Sequence, residues 1–358
     1  MKRREIIIVS ILTALLIFAL LCVGCSKAPD TAGQPTKTPE STGPYPMAPE
    51  FAIEPQFDDA GDFSEGLAEV KIGDKWGFID TAGKLVIHPQ FDEVWTFSGG
   101  LARVLVDGTY GFIDKSGTYV ITPKSSAALD FSEGLAVVRM EGKDGFVDKT
   151  GRFVINPRFD EALSFHEGLA RVKVGDTCGY IDKNGGYVVD PKFEGSGSFS
   201  EGLAPVIVGD KRGYIDKTGT YAIPPQFDGV GDFQEGLARV RNGTKWGYID
   251  KTGGLVVAED FDYAMDFKEG LARVTVDKEC GFIDRNGITV IYPLFDDAGA
   301  FSESLAPVQR EGKWGFVDKT GRYVIDPKFD GASSFIEGLA RVKQDGKWGY
   351  IKNPLETN

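Results

Sequence analysis

The sequence predicts an all-β chain: a tandem array of nine 34-residue units, each a three-stranded antiparallel meander, over residues 51–352. Three observations carry this. A glycine returns at Gly77, Gly111, Gly145, Gly179, Gly213, Gly247, Gly281, Gly315 and Gly349, with no insertion or deletion in the count. Short runs of alternating apolar and charged residues surround each copy, separated by Gly- and Asp-containing turns. A phenylalanine keeps the same phase in all nine units, from Phe63 and Phe97 to Phe301 and Phe335. Repeat units share one continuous core, so the fixed period outweighs the two-domain expectation that 358 residues would otherwise suggest.

At the N-terminus, Met1-Lys2-Arg3-Arg4 is a basic start, and the stretch from Ile6 to Gly24 is an apolar run broken only by Ser10 and Thr13. This is the pattern of an export signal. The run ends in Leu21-Cys22-Val23-Gly24-Cys25-Ser26, which resembles the lipobox of bacterial lipoproteins, with Cys22 where that family has Leu. The resemblance implies a signal peptide over 1–24 and a lipid on Cys25, which would hold the chain on a membrane. An uncleaved transmembrane anchor is the alternative, since about 19 apolar residues approach the ~20 that span a bilayer. Either way the array is expected outside the cytoplasm, in a bacterial envelope. Residues 25–50 are rich in Pro, Thr and Ser and lack apolar periodicity, the composition of a flexible tether.

Within a unit, Leu67–Ile72 alternates Ala68, Val70 and Ile72 against Glu69 and Lys71, a half-buried strand. Trp76–Asp80 is the second strand, and its central Gly77 requires a close neighbour there. The expected neighbour is the next unit. Asp80-Thr81-Ala82-Gly83, elsewhere Asp-Lys-Thr-Gly, makes a tight turn into a third strand, Lys84–Ile87. Pro89 is expected to end its pairing, because proline cannot donate to a ladder. An irregular segment then leads to the next phenylalanine, a core plug.

These motifs resemble the WG-repeat family of bacterial proteins, named for the pair seen here at Trp76-Gly77, Trp246-Gly247, Trp314-Gly315 and Trp348-Gly349. Departures are Tyr110, Asp144, Cys178, Arg212 and Cys280 in the tryptophan place, Ser304 for the glycine of Gly-Leu-Ala, and Ser125 for the phenylalanine of the Pro-x-Phe turn. The resemblance implies an extracytoplasmic interaction scaffold without a shared reaction. A fainter likeness to choline-holding wall repeats lacks the extra aromatics of a choline cage.

The phase of the array bears on closure. Phe51–Pro55 matches the third strand Leu85–Pro89, and Gly349–Lys352 stops after a second strand, so a spare strand at the start equals a missing one at the end. In a propeller this offset closes a ring; in a solenoid it caps the ends. A unit of 34 residues is short beside the ~40 to 45 of a four-stranded blade, so an open β-superhelix is favoured. The closed propeller-like ring is the alternative, with Phe57–Phe63 supplying an inner strand.

The net charge of -13 becomes -15 without residues 1–24, which argues against nucleic acid as a partner. Expected partners are the membrane, through the lipid, and a protein or cell-wall polysaccharide. Cys178 and Cys280 lie three units apart and are expected to stay reduced. Glu65 and its copies recur in nearly every unit, so they read as turn residues rather than catalytic acids. His88 and His166 form no zinc-type cluster, and no phosphate loop is present; no cofactor and no metal are expected. The residues chosen as a binding surface are the arginine stripe Arg103, Arg171, Arg239, Arg273 and Arg341, together with the unrepeated Trp95 and the second-strand aromatics from Phe78 to Tyr350, taken as outward-facing. The arginines have a competing role as partners of the many carboxylates. A non-catalytic, membrane-tethered scaffold is thus expected. The alternatives are an envelope-modifying enzyme built on Ser125, Asp144, Arg212 and Glu259, and a passive spacer. Residues 353–358 are a short C-terminal tail.

Overall fold

The computed structural model describes residues 46–356, which hold strands and no helix. The predicted signal peptide, Cys25 and the tether as far as residue 45 lie outside the described residues.

The first strand, β1 (Phe51–Phe57), precedes blade 1, which comprises β2 (Asp59–Ala60), β3 (Leu67–Ile72), β4 (Lys75–Asp80) and β5 (Leu85–Phe91), hydrogen-bonded in that order. From β6 (Glu93–Val94) to β33 (Tyr323–Phe329) the pattern repeats in seven more blades. The ninth contains β34 (Gly331–Ala332), β35 (Leu339–Gln344) and β36 (Lys347–Lys352), and β1 fills its outer place. The chain is therefore a nine-bladed β-propeller closed into a ring, and the favoured open superhelix is corrected to the alternative. Each unit has four strands rather than three. The inner strand is only two residues long and lies within Phe57–Phe63, where the ring alternative placed it, which is how 34 residues suffice for a blade.

Two local expectations change with it. The outer strand runs past Pro89 to Phe91, since an outermost strand has no neighbour asking for the missing N–H. Gly77 marks a contact inside the blade, not between units: a Cβ there would stand 2.3 Å from the Ile87 carbonyl oxygen of β5. The register between β4 and β5 shifts on either side of Phe78, and the bulged outer strand presses onto the glycine. At Gly349 the pressing atom is the Ile53 carbonyl oxygen of β1, at 2.5 Å from such a Cβ.

Blades are joined by buried aromatic pairs. Phe78 meets Phe97 of the next blade edge-on at 4.9 Å, and Tyr350 meets Phe63 across the ring closure at the same distance. The second-strand aromatics taken as outward-facing are thus interblade core; Phe78, Tyr214 and Tyr350 are fully buried. Buried tyrosine hydroxyls need acceptors, and Tyr214 and Tyr350 donate to the carbonyls of Gly231 and Gly61, each at 2.7 Å.

Polar ties join the blades at both rims. At one, here called upper, Glu65 takes a left-handed conformation (φ 53°), and its carboxylate accepts the Gly100 N–H at 3.0 Å and the Lys115 ammonium at 3.3 Å, both from the next blade. At the lower rim, Asp92 accepts from Lys75 Nζ at 2.6 Å and from the Asp107 N–H at 2.8 Å. Among the described residues, only the junction between blades 2 and 3 lacks both, since Gly99 replaces the glutamate and Thr109 and Ser126 replace the Lys–Asp pair. Cys178 and Cys280 are buried and free, in blades 4 and 7.

Candidate functional site

The two-residue inner strands line the axis of the ring. Groups two blades apart sense one another there: the charge of Asp130, in blade 3, raises the pKa of Glu69, in blade 1. At this inner edge the copies stop resembling each other. The place of Gly61 holds Trp95, Leu129, Leu163 and Met265 in other blades, and that of Asp59 holds Glu93, Ala127 and Tyr263.

The arginine stripe lies here, on the strand next to the inner one, and most of it is engaged between blades. Arg103 pairs with Asp130 (2.9 Å) and donates to the Ala128 carbonyl. Arg239 pairs with Asp266 (3.0 Å) and donates to the Ala264 carbonyl at 2.8 Å. Arg273 reaches Asp297 (2.9 Å) and the Ala298 carbonyl. Arg341 closes the ring onto Asp62 (3.0 Å) and the Ala60 carbonyl. Arg171 alone of the five stays within its blade, on Glu161 (3.1 Å) and Cys178 Sγ (3.0 Å). Trp95 is half-buried at the end of its inner strand, with the Arg103 guanidinium 3.8 Å above its ring and Tyr110 beside it. The structure therefore brings Trp95 and Arg103 together and distributes the other four arginines around the ring.

Blade 1 breaks the stripe. Glu69 stands where five blades have arginine, and its side chain folds over Gly61, where a Cβ would lie 1.9 Å from Glu69 Oε1. Burial, reinforced by the charges of Asp62 and Asp130 and opposed by Arg341, pushes its carboxyl pKa up to about 7. Glu69 Oε2 is buried without a hydrogen-bond partner among the described residues. It lines a cavity of about 520 Å³ shared by blades 9, 1 and 2, whose wall includes Asp59, Asp62, Trp76, Thr96 and Arg341. Further round, burial raises Asp232 and Asp266, while Arg239 favours the ionised form of both and His166 that of Asp232. The inner edge can thus offer hydrogen-bond acceptors, a half-neutral acid at Glu69 and an indole face to one ligand. Sequence reasoning missed Glu69 and these aspartates; the signal was an acid in the arginine place of a single copy.

The residues weighed for catalysis do not meet. Ser125, Asp144, Arg212 and Glu259 sit in blades 2, 3, 5 and 6. Asp144 is buried under Arg139 (2.7 Å) and accepts the Ala162 N–H, Arg212 donates to the Asp228 carbonyl, and Glu259 accepts from Asn242. Among the described residues no group of three or more His, Cys, Asp or Glu is placed to hold a metal ion.

No curated protein matches the chain in sequence. Among solved structures, one described as the crystal structure of the eukaryotic initiation factor is similar at 12% identity and a TM-score of 0.58, covering 86% of this chain and 94% of that one. The dihydro-heme d1 dehydrogenase NirN (14%, TM-score 0.47, 78% and 77%) and Hsv2 of Kluyveromyces lactis (10%, 0.39, 84% and 98%) show looser likeness. At such identities the likeness is one of fold. The WG containing repeat matches nine consecutive stretches, at 49–76, 76–110, 110–143, 145–178, 179–211, 213–246, 246–280, 281–314 and 314–348. With its Trp-Gly strands, pressed glycines and interblade aromatics recurring across that whole span, the chain belongs to the WG containing repeat family.

Proposed function

We propose that this protein is a non-catalytic binding scaffold outside the cytoplasm, tethered to a membrane by a lipid on Cys25, which engages a protein or an envelope glycan at the inner edge of the ring. The observation that carries this reading is where the copies differ. Core, pressed glycines and rim ties repeat around the ring, while the positions of Asp59, Gly61 and Glu69 change from blade to blade. A ligand spanning several blades meets a different side chain from each, which is how a symmetric scaffold acquires a specific site. The dispersal of the off-consensus residues supports a non-catalytic role. The basic, apolar leader ending at Gly24-Cys25 supports the tether.

The test has two arms. Metabolic labelling with a fatty acid is expected to mark the protein and to be lost in Cys25→Ala; absence of label from the wild type removes the lipid tether. Trp95→Ala and Glu69→Gln are expected to weaken binding to isolated wall glycan, or cross-linking to envelope proteins, relative to the outer-strand control Lys192→Ala. Equal behaviour of all three overturns the inner-edge site and leaves the passive spacer.

A further inference from the structure

At five blade junctions a glutamate carboxylate lies between a backbone N–H and a lysine ammonium of the following blade. The pairs are Glu65 with Gly100 and Lys115, Glu133 with Gly168 and Lys183, Glu167 with Gly202 and Lys217, Glu201 with Gly236 and Lys251, and Glu269 with Ser304 and Lys319. The N–H to carboxylate distances run from 2.9 to 3.1 Å, and the lysine distances from 3.0 to 3.3 Å. Five copies define what this cradle binds.

Between blades 2 and 3 the cradle is kept and its glutamate is gone. Gly99 occupies the glutamate position with the same left-handed backbone (φ 63° against 53° at Glu65), and Gly134 keeps the φ of its equivalents (89° against 86° at Gly100). Lys149 is present in register, its Nζ 3.0 Å from where a Cβ of Gly99 would stand. Both Gly134 and Lys149 are exposed, and neither the Gly134 N–H nor the Lys149 ammonium has a hydrogen bond or ion pair among the described residues.

We propose that the Gly134 N–H and the Lys149 ammonium form a receptor for a carboxylate brought by a partner polypeptide, an acidic side chain or a chain terminus. In the five internal copies an N–H and an ammonium hold one carboxylate, a planar anion with two oxygens, and here Lys149 Nζ leans into the space that a side chain at residue 99 would fill. The net charge of -13 repels extended polyanions, so the occupant is a single carboxylate carried by a mixed or neutral segment. The site stands on the cradle at the rim and does not depend on the inner-edge reading.

The experiment follows the Gly134 amide by NMR in the intact protein while the N-acetyl, N-methylamide derivatives of glutamate and of glutamine are titrated at constant ionic strength. The glutamate derivative is expected to shift Gly134 saturably and the glutamine derivative at least tenfold more weakly, with the Gly168 amide, already held by Glu133, unmoved. Lys149→Ala is expected to weaken the response several-fold. Gly99→Glu, which installs the residue that eight other units carry at this φ, is expected to abolish it while leaving the fold intact. A Gly134 amide indifferent to the glutamate derivative, or a response that survives Gly99→Glu, overturns the proposal.

Discussion

The carboxylate of Glu337 accepts the backbone N–H groups of Glu65 at 2.7 Å and Gly66 at 2.9 Å, tying the last blade to the first across 271 residues of chain. It repeats, at the point where the ring closes, the tie that links successive blades elsewhere. Glu337→Ala is expected to lower the unfolding free energy by about 1 kcal/mol, the worth of an exposed charge-assisted pair of hydrogen bonds. Glu337→Gln, which keeps an acceptor, should cost less. Urea denaturation of the two variants checks the order, and identical midpoints for wild type and alanine variant would contradict the role.

Gly213 and Gly209 separate two uses of glycine. A Cβ on Gly213 would lie 2.4 Å from the Ile223 carbonyl oxygen, which is backbone and cannot yield cheaply. Gly209 has φ +60° and nothing within 4 Å of such a Cβ, so only its conformation is at stake. Gly213→Ala is expected to cost about 3 kcal/mol, as overpacking does. Gly209→Ala should cost about 1 kcal/mol, the left-handed penalty. Thermal and urea midpoints measured side by side test the ratio.

Glu69 makes the ring more stable in mild acid. Its folded pKa, pushed up to about 7, lies above the ~4.3 of an unfolded glutamate, so the folded state binds the proton more tightly. The stability gained from that proton is complete below the unfolded pKa and is lost as pH rises through 7. The full span is up to about 4 kcal/mol. Asp232 and Asp266, also raised by burial, act in the same direction at lower pH. Asp92 and Asp228, lowered chiefly by hydrogen bonds from Lys75 and Lys211, act oppositely and only as pH falls through the lowest carboxylate range. Unfolding free energies at pH 5 and pH 8 should therefore differ in wild type and converge in Glu69→Gln; a difference that persists in the variant would assign it elsewhere.

The junction between blades 2 and 3 is expected to open first. It lacks both rim ties, and Ser125 replaces the phenylalanine that at other junctions, as in Phe91 with Tyr119 at 6.3 Å, contacts the next outer strand. Phe153, in the place of Tyr119, makes no ring pair among the described residues. Hydrogen exchange should be fastest for Tyr119–Ser125 among the outer strands. Thr109→Lys combined with Ser126→Asp, which copies the Lys75 and Asp92 pair, is expected to add about 0.5–1 kcal/mol, with each single change near neutral. Additive single effects would show that no pair had formed.

Much of the blade was legible because its determinants are local. Alternation in Leu67–Ile72, the Asp-x-x-Gly turn at Asp80–Gly83 and the plug at Phe63 each depend on residues a few positions apart. The inner strand was legible only through the ring alternative, which placed it within Phe57–Phe63; two residues such as Asp59–Ala60 carry no periodicity of their own, and they pair only because β3 presents an edge. The arginines were legible as a stripe, but their engagement was not, because Arg103 and Arg341 find their acceptors in the inner strand and loop of the following blade.

By itself the sequence determined the repeat, its nine copies, the all-β character and a family, since these follow from spacing along the chain. Whether the array closes was decided only in three dimensions. Closure depends on a small rotation per blade, summed nine times until β1 meets β36, and no single copy records that angle. The tertiary structure also decided which differences between copies converge. Arg341 becomes a neighbour of Glu69 and Asp62 solely because the ring brings blade 9 back to blade 1.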